Sequence, residues 1–113
     1  MPFIDSKVTV KMTKEKEEAI KTKLGQQIGL LGKPESFLMV GFEDEYSLFM
    51  GGDRLERGAY VSVSLFGKAS SAAYENMPAA ICDIYAEELQ IPGNAVYVTY
   101  HEVNDWGYNG RNF

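Results

Sequence analysis

Apolar residues recur with two different spacings along this chain, and the order of those spacings predicts its elements. Residues 3–10 are typical of a β-strand, and residues 14–31 predict a helix with its apolar side chains on one face. That face comprises Ile20, Leu24, Ile28 and Leu31. Residues 37–42 are almost entirely apolar, which favours a second strand that is buried, as in a parallel pairing.

The second half of the chain repeats this order after a turn-rich link at 49–53. Residues 58–66 predict a strand, 72–90 a helix and 95–103 another strand. The apolar face of the second helix comprises Met77, Ile81, Ile84, Tyr85 and Leu89. Pro78 lies within that face, where we expect it either to kink the helix or to mark irregular first turns. The tail beyond 103 predicts a short edge strand.

Two β-α-β repeats, 1–50 and 57–103, predict a single domain over residues 1–113 in the α/β (α+β) class. Each repeat should bring its two strands together in parallel through a right-handed crossover. We therefore expect a four-stranded mixed sheet with both helices on one face. The other face would expose apolar and aromatic side chains, which favours burial of that face against further subunits.

The charge and the apolar segments exclude several classes of partner. The formal net charge is -5 and no basic stripe is present, so a nucleic-acid partner is not expected. No segment has the length and apolar character of a membrane span, so membrane insertion is not expected either. The N-terminus has no secretory signal pattern, which predicts a cytoplasmic protein and leaves leaderless export open.

The cysteine and histidine content limits the sites that one chain can build. Cys82 is the single cysteine and His101 the single histidine, so neither an intrachain disulfide nor a Cys/His zinc cluster can form. No Gly-x-Ser-x-Gly elbow is present to supply a serine nucleophile. Cys82 lies in an apolar helical context and is interpreted as a small buried residue. No metal site is predicted.

The remaining chemical candidate is the proline that follows the initiator methionine. A small residue at the second position favours removal of Met1, which would leave Pro2 with a free secondary amine. Taken alone, Pro2 is better explained as a simple strand start, where a residue without an N–H is tolerated. An amine whose pKa is ordinarily about 7.7–8.0, and higher for proline, becomes a useful base when an apolar pocket or a nearby ammonium lowers that pKa.

Five features occur in a fixed order along the chain: Pro2, Gly32-Lys33-Pro34, Met50-Gly51-Gly52, Ser64-Leu65-Phe66-Gly67-Lys68 and Val96-Tyr97-Val98. Together they resemble the tautomerase superfamily, in the branch of macrophage migration inhibitory factor and D-dopachrome tautomerase. The resemblance covers essentially the whole chain. It implies a homotrimer with active sites at subunit interfaces, and keto–enol tautomerisation of an arylpyruvate such as phenylpyruvate. It also implies that the N-terminal proline is the general base and that no cofactor is needed.

Carried over residue by residue, the resemblance implies a catalytic role for Pro2 and a substrate-binding role for Lys33, which would hold a carboxylate or carbonyl group. Phe66 would bind the substrate carboxylate through its backbone N–H, and Tyr97 would come from a neighbouring subunit. Thr99 stands where the cytokine has an asparagine that contacts a ring hydroxyl, so a preference for that hydroxyl is in doubt. The walls of the pocket would include Phe3, Phe37, Trp106, Tyr108 and Phe113.

Two other functions stay open. One is a signalling or interaction protein that resembles the cytokine, with a protein receptor as its partner and a vestigial tautomerase site. The other is a related decarboxylase or hydratase that acts on a small unsaturated acid. No arginine precedes Arg54, which disfavours the dehalogenase and hydratase branches. Residues 58–61 replace the Cys-x-x-Cys of the cytokine, so a thiol oxidoreductase is not supported.

Overall fold

The computed structural model describes residues 2–113 and contains a four-stranded sheet, two α-helices and two small hairpins. Neighbouring elements of the main chain are connected by short 3-10 turns at Ile28–Leu31, Glu35–Phe37 and Gly93–Ala95. The helices are α1 (Lys14–Gln27) and α2 (Ser71–Leu89). The strands are β1 (Pro2–Val8), β2 (Met39–Glu43), β3 (Phe49–Met50), β4 (Asp53–Arg54), β5 (Ala59–Phe66), β6 (Val96–Val103), β7 (Gly107–Tyr108) and β8 (Arg111–Asn112).

The main sheet has the strand order β2-β1-β5-β6. Within each repeat the two strands are parallel, β1 with β2 and β5 with β6. The central pair, β1 and β5, is antiparallel and joins the two repeats. The predicted mixed sheet of two β-α-β units is therefore confirmed.

Both helices cover one face of this sheet, as predicted. The apolar faces predicted for the two helices are buried, and each of their residues is at most 5% exposed. They pack against the alternate strand residues that point to the same side, which are Ile4, Val8, Ala59, Val61 and Val63. Thr13 caps the N-terminus of α1, where its side chain accepts a hydrogen bond from the Lys16 N–H. Pro78 lies inside α2, which runs continuously.

The predicted burial of the second strand is wrong. β2 begins at Met39 and lies at the edge of the sheet, with β1 on one side only. The helices cover only one of its faces, and Met39 is 67% exposed. An apolar run is compatible with parallel pairing, yet it does not show whether a strand is central or at an edge.

The face turned away from the helices is more polar than predicted. On this face, Ser62 and Ser64 of β5 lie beside Thr99 and His101 of the edge strand β6. Cys82 also differs from its prediction, because it is half-buried rather than fully buried. The tail forms its own β7–β8 hairpin and does not extend the main sheet.

Candidate active site

A cleft of about 520 Å³ lies at the end of the sheet where β1 begins. It is lined by Pro2, Phe3, Ser36, Phe37, Leu38, Met39, Trp106, Gly107 and Tyr108. Its volume is within the range of small-molecule sites. These lining residues include no carboxylate side chain, so nothing in the lining repels an anionic ligand.

Three segments build this cleft for identifiable local reasons. Pro2 begins β1, where its missing N–H leaves no ladder donor unpaired, and its ring is buried. The 3-10 turn that follows Pro34 places Phe37 at the rim, where it is 44% exposed. The tail turns back through Asn109-Gly110, whose φ angles of 52° and 84° suit a two-residue hairpin loop.

Lys33 also reaches this end of the sheet, from the segment that follows α1. Gly32 has φ 68°, a left-handed conformation that ends the turn after α1 and directs Lys33 back over the sheet. The Lys33 ammonium donates a hydrogen bond of 2.9 Å to the carbonyl oxygen of Phe66, the last residue of β5. The structure therefore brings Lys33 and Phe66 together, although they are far apart in sequence.

The backbone of Phe66 points towards the start of β1. The Gly67 N–H donates to Val103 of β6, and successive residues of a strand direct their polar groups to opposite sides. The N–H and C=O of Phe66 therefore face the β1 side. Pro2 pairs with Leu65, so Phe66 lies one residue beyond the position of Pro2 in the ladder. A ligand group beside the Pro2 nitrogen is within reach of this backbone N–H.

Four aromatic rings connect the cleft to Phe66. Phe37 meets Tyr108 edge to face with a centroid distance of 5.5 Å. Tyr108 stacks on Phe113 at 5.9 Å, and Phe113 packs against Phe66 at 5.7 Å. These separations are typical of favourable aromatic pairs. The row makes a continuous apolar wall, and all four of its residues are among the predicted site residues.

Tyr97 and Thr99 lie elsewhere in the same chain. Tyr97 pairs with Tyr60 near the opposite end of β5, about 17 Å from Leu65 at about 3.3 Å per residue. Its side chain is 64% exposed. The Thr99 hydroxyl is hydrogen-bonded to the Tyr60 hydroxyl at 2.8 Å and to His101 Nε2 at 3.0 Å. One chain therefore does not place Tyr97 or Thr99 in its own cleft.

Apart from Gly107, which lies between two predicted site residues, three lining residues were missed by the sequence analysis. Leu38 and Met39 were assigned to a buried strand, and Ser36 was not considered. The combination of Pro34 with the polar pair Glu35-Ser36 is a loop signal, and it could have shifted the predicted strand start towards Met39. These residues line the cleft because the 3-10 turn, rather than the strand, occupies its rim.

Within residues 2–113, each helix is too short or too polar for a bilayer crossing.

Comparisons with known proteins identify the group to which the chain belongs. The family model described as macrophage migration inhibitory factor (MIF) matches residues 1–113. The crystal structure of Leishmania major MIF2 is similar with a TM-score of 0.94 and 31% identity, covering 100% of this chain and 97% of that chain.

Two curated relatives agree. The macrophage migration inhibitory factor homolog of Trichuris trichiura is 31% identical over 87 residues, which cover 75% of this chain and 75% of the relative. The macrophage migration inhibitory factor of Xenopus laevis is 29% identical over 84 residues, covering 73% of this chain and 72% of the relative. The chain belongs to the macrophage migration inhibitory factor family.

Proposed function

We propose that this protein is a cofactor-independent keto–enol tautomerase of phenylpyruvate-type acids, with the amine of Pro2 as general base. The observation that carries the proposal is the position of Pro2, which begins a strand at the wall of an aromatic cleft without lining carboxylates. The proposal requires removal of Met1, because an acylated proline nitrogen has no basic lone pair. Met1 lies outside the described residues.

The reaction needs a base that moves one proton between carbon and oxygen. In the direction from ketone to enol, the neutral Pro2 nitrogen takes a proton from the carbon next to the carbonyl, and the C–H electron pair forms the enol double bond. The protonated Pro2 amine then passes a proton to the carbonyl oxygen, directly or through water, which restores the neutral amine, so atoms and charge balance. The burial of Pro2 disfavours its charged form and keeps the amine available near neutral pH.

The substrate anion is held by two donors on one side of Pro2. Lys33 supplies an ammonium group and Phe66 a backbone N–H, and both lie at the end of the sheet where Pro2 begins. Positioned donors of this kind stabilise the negative charge that develops on the enolate oxygen. The aromatic row from Phe37 to Phe66 packs against the ring of the arylpyruvate.

A complete site requires a homotrimer, which we propose as the working assembly. Tyr97 lies at the opposite end of the sheet from the cleft of its own chain, yet it is 64% exposed. Tyr97 of one subunit, and Thr99 with it, can therefore complete the cleft of a neighbouring subunit. The active sites would then lie between subunits.

The test begins with intact mass, which shows whether Met1 is absent from the purified protein. Loss of the phenylpyruvate enol is then followed by absorbance for the wild type, Pro2→Gly and a variant with one alanine inserted before Pro2. We expect both variants to lose at least about 100-fold in rate, the usual contribution of a general base. Pro92→Ala, a proline change at the opposite end of the sheet, is the matched control and should retain activity.

Equal rates for the wild type and Pro2→Gly, in protein that lacks Met1, would contradict the proposal. Sedimentation tests the assembly separately, and a monomer that retains full activity would contradict the shared site. Receptor binding that survives Pro2→Gly would show that recognition in this chain is independent of the chemistry.

A further inference from the structure

The hairpin at the tail carries an arginine on the side that faces the cleft. Tyr108 and Arg111 are directly opposite each other in the β7–β8 ladder. Residues that oppose each other in an antiparallel pair project to the same face. Tyr108 lines the cleft, so the side chain of Arg111 leaves the hairpin on the cleft side, just beyond Tyr108.

Arg111 has no charged partner within the described residues 2–113. It is exposed, and none of the ion pairs of this part of the chain includes it. The other two arginines are engaged, because Arg57 donates to the Leu89 carbonyl and Arg54 to the Ser47 hydroxyl. None of the three arginines pairs with a carboxylate among the described residues, and of the three only Arg111 also makes no side-chain hydrogen bond there.

Part of the aromatic row, from Phe66 to Tyr108, thus lies between two cations. Lys33 is at the Phe66 end of the aromatic row, and Arg111 is beside Tyr108. Between them the ring centroids of Phe66, Phe113 and Tyr108 are separated by 5.7 and 5.9 Å. An elongated ligand that places one acid at Lys33 therefore directs its other end along the row towards Arg111.

We propose that Arg111 is a specificity-determining residue that favours an aromatic 2-oxo acid with a second carboxylate at the far end of its ring. The inference rests on the proposed tautomerase function, since it assigns the 2-oxo acid group to Lys33 and Phe66. A guanidinium suits this role because its planar donors match both oxygens of a carboxylate. A monoacid such as phenylpyruvate would leave Arg111 solvated, so Arg111 would add nothing to its binding affinity.

The experiment compares phenylpyruvate with its 4-carboxy analogue in the wild type, Arg111→Gln and Arg111→Lys. Arg111→Gln should raise KM for the 4-carboxy acid about two- to fivefold, the range for an exposed charge pair, and leave kcat and the KM for phenylpyruvate unchanged. Arg111→Lys keeps the charge but not the planar pair of donors, so it should retain only part of the effect. The difference should shrink as salt is added, because exposed charges are screened.

Lys14→Gln is the matched control, since it removes the same charge from an exposed position on α1. If it raises KM for the 4-carboxy acid as much as Arg111→Gln does, the effect belongs to the net charge and the inference is overturned. An unchanged KM ratio in Arg111→Gln overturns it too, while the turnover of phenylpyruvate leaves the tautomerase proposal standing.

A binding measurement keeps the inference testable if neither acid is turned over. Calorimetry with phenylacetate and 4-carboxyphenylacetate gives the affinity advantage of the second carboxylate without any reaction. An advantage in the wild type that disappears in Arg111→Gln supports the role of Arg111, even where the tautomerase proposal has failed. Equal affinities of the two acids for the wild type overturn it.

Discussion

The hydroxyl pair of Ser6 and Tyr85 provides a direct test of how the sheet and α2 are joined. Both residues are 0% exposed, and the Ser6 hydroxyl is hydrogen-bonded to the hydroxyl of Tyr85. Removing one member leaves the other buried without a partner, which costs about 1–3 kcal/mol. We therefore expect Ser6→Ala and Tyr85→Phe each to lower the free energy of unfolding by about 1–2 kcal/mol.

The double variant should be less destabilised than the sum of the two single variants. Removing both hydroxyls leaves no unpaired polar group, so its total cost should be no more than about 1 kcal/mol, apart from the small void. The difference gives a coupling free energy of about 1–3 kcal/mol. With 113 residues and an unfolding entropy of about 2.1 cal/mol/K per residue, a loss of about 1.5 kcal/mol lowers Tm by about 6 °C.

The assay is thermal and urea unfolding followed by circular dichroism, with all variants at one protein concentration because association adds to apparent stability. Single costs that simply add in the double variant would refute the reasoning. So would a Ser6→Ala cost below about 0.5 kcal/mol, since that is the effect of an ordinary surface change.

The same pair gives a dependence on alkaline pH. Burial raises the pKa of Tyr85 to about 12, and its hydrogen bond to Ser6 offsets this only in part. The unfolded chain releases this proton near pH 10, so between about pH 10 and 12 the folded state holds more protons. Stability should fall there by up to about 1.4 kcal/mol per pH unit, and Tyr85→Phe should remove this contribution.

Three further changes test local features of the fold, each by the urea midpoint. Thr13→Ala removes the acceptor for the Lys16 N–H and should cost about 1 kcal/mol, and an unchanged midpoint would contradict the assigned cap. Gly58→Ala places a Cβ 2.6 Å from Leu55 Cδ1 and should cost about 1–3 kcal/mol, in part relieved by Leu55→Ala. Gln90→Gly should raise stability by about 0.5–1 kcal/mol, because φ is 54° there; a loss would show that its side chain matters more than its backbone.

The helices and the order of the elements could be predicted because their signal is local. Ile20 and Ile81 each belong to a series of apolar residues at helical spacing. That spacing places the series on one face of the helix, and this face is buried. Whether a strand is central or at an edge depends on which other strands pair with it. Met39 illustrates this, since its apolar neighbours predict burial but β2 has a partner on one side only.

The candidate site was predictable in its chemistry and much less so in its geometry. Pro2 and Tyr108 could be singled out by residue type and by resemblance. The contact of the Lys33 ammonium with the Phe66 carbonyl depends on how the turn after α1 lies over the sheet, which no local pattern encodes. The side on which Arg111 stands depends on the ladder of the tail hairpin, and that hairpin was expected only as an edge strand.

Residues far apart in sequence, Pro2 and Phe113, lie around one cleft and its aromatic row. Pro2 lies at the wall of the cleft, while Phe113 is stacked on Tyr108 and packed against Phe66. Under the proposed function, any residue placed before Pro2 would convert its amine to an amide, and residues attached after Phe113 would extend from the aromatic row. Recombinant material for any measurement of activity should therefore carry no affinity tag at either position after processing. A label attached on the exposed side of α1, for example at position 14, leaves Pro2 and Phe113 unmodified.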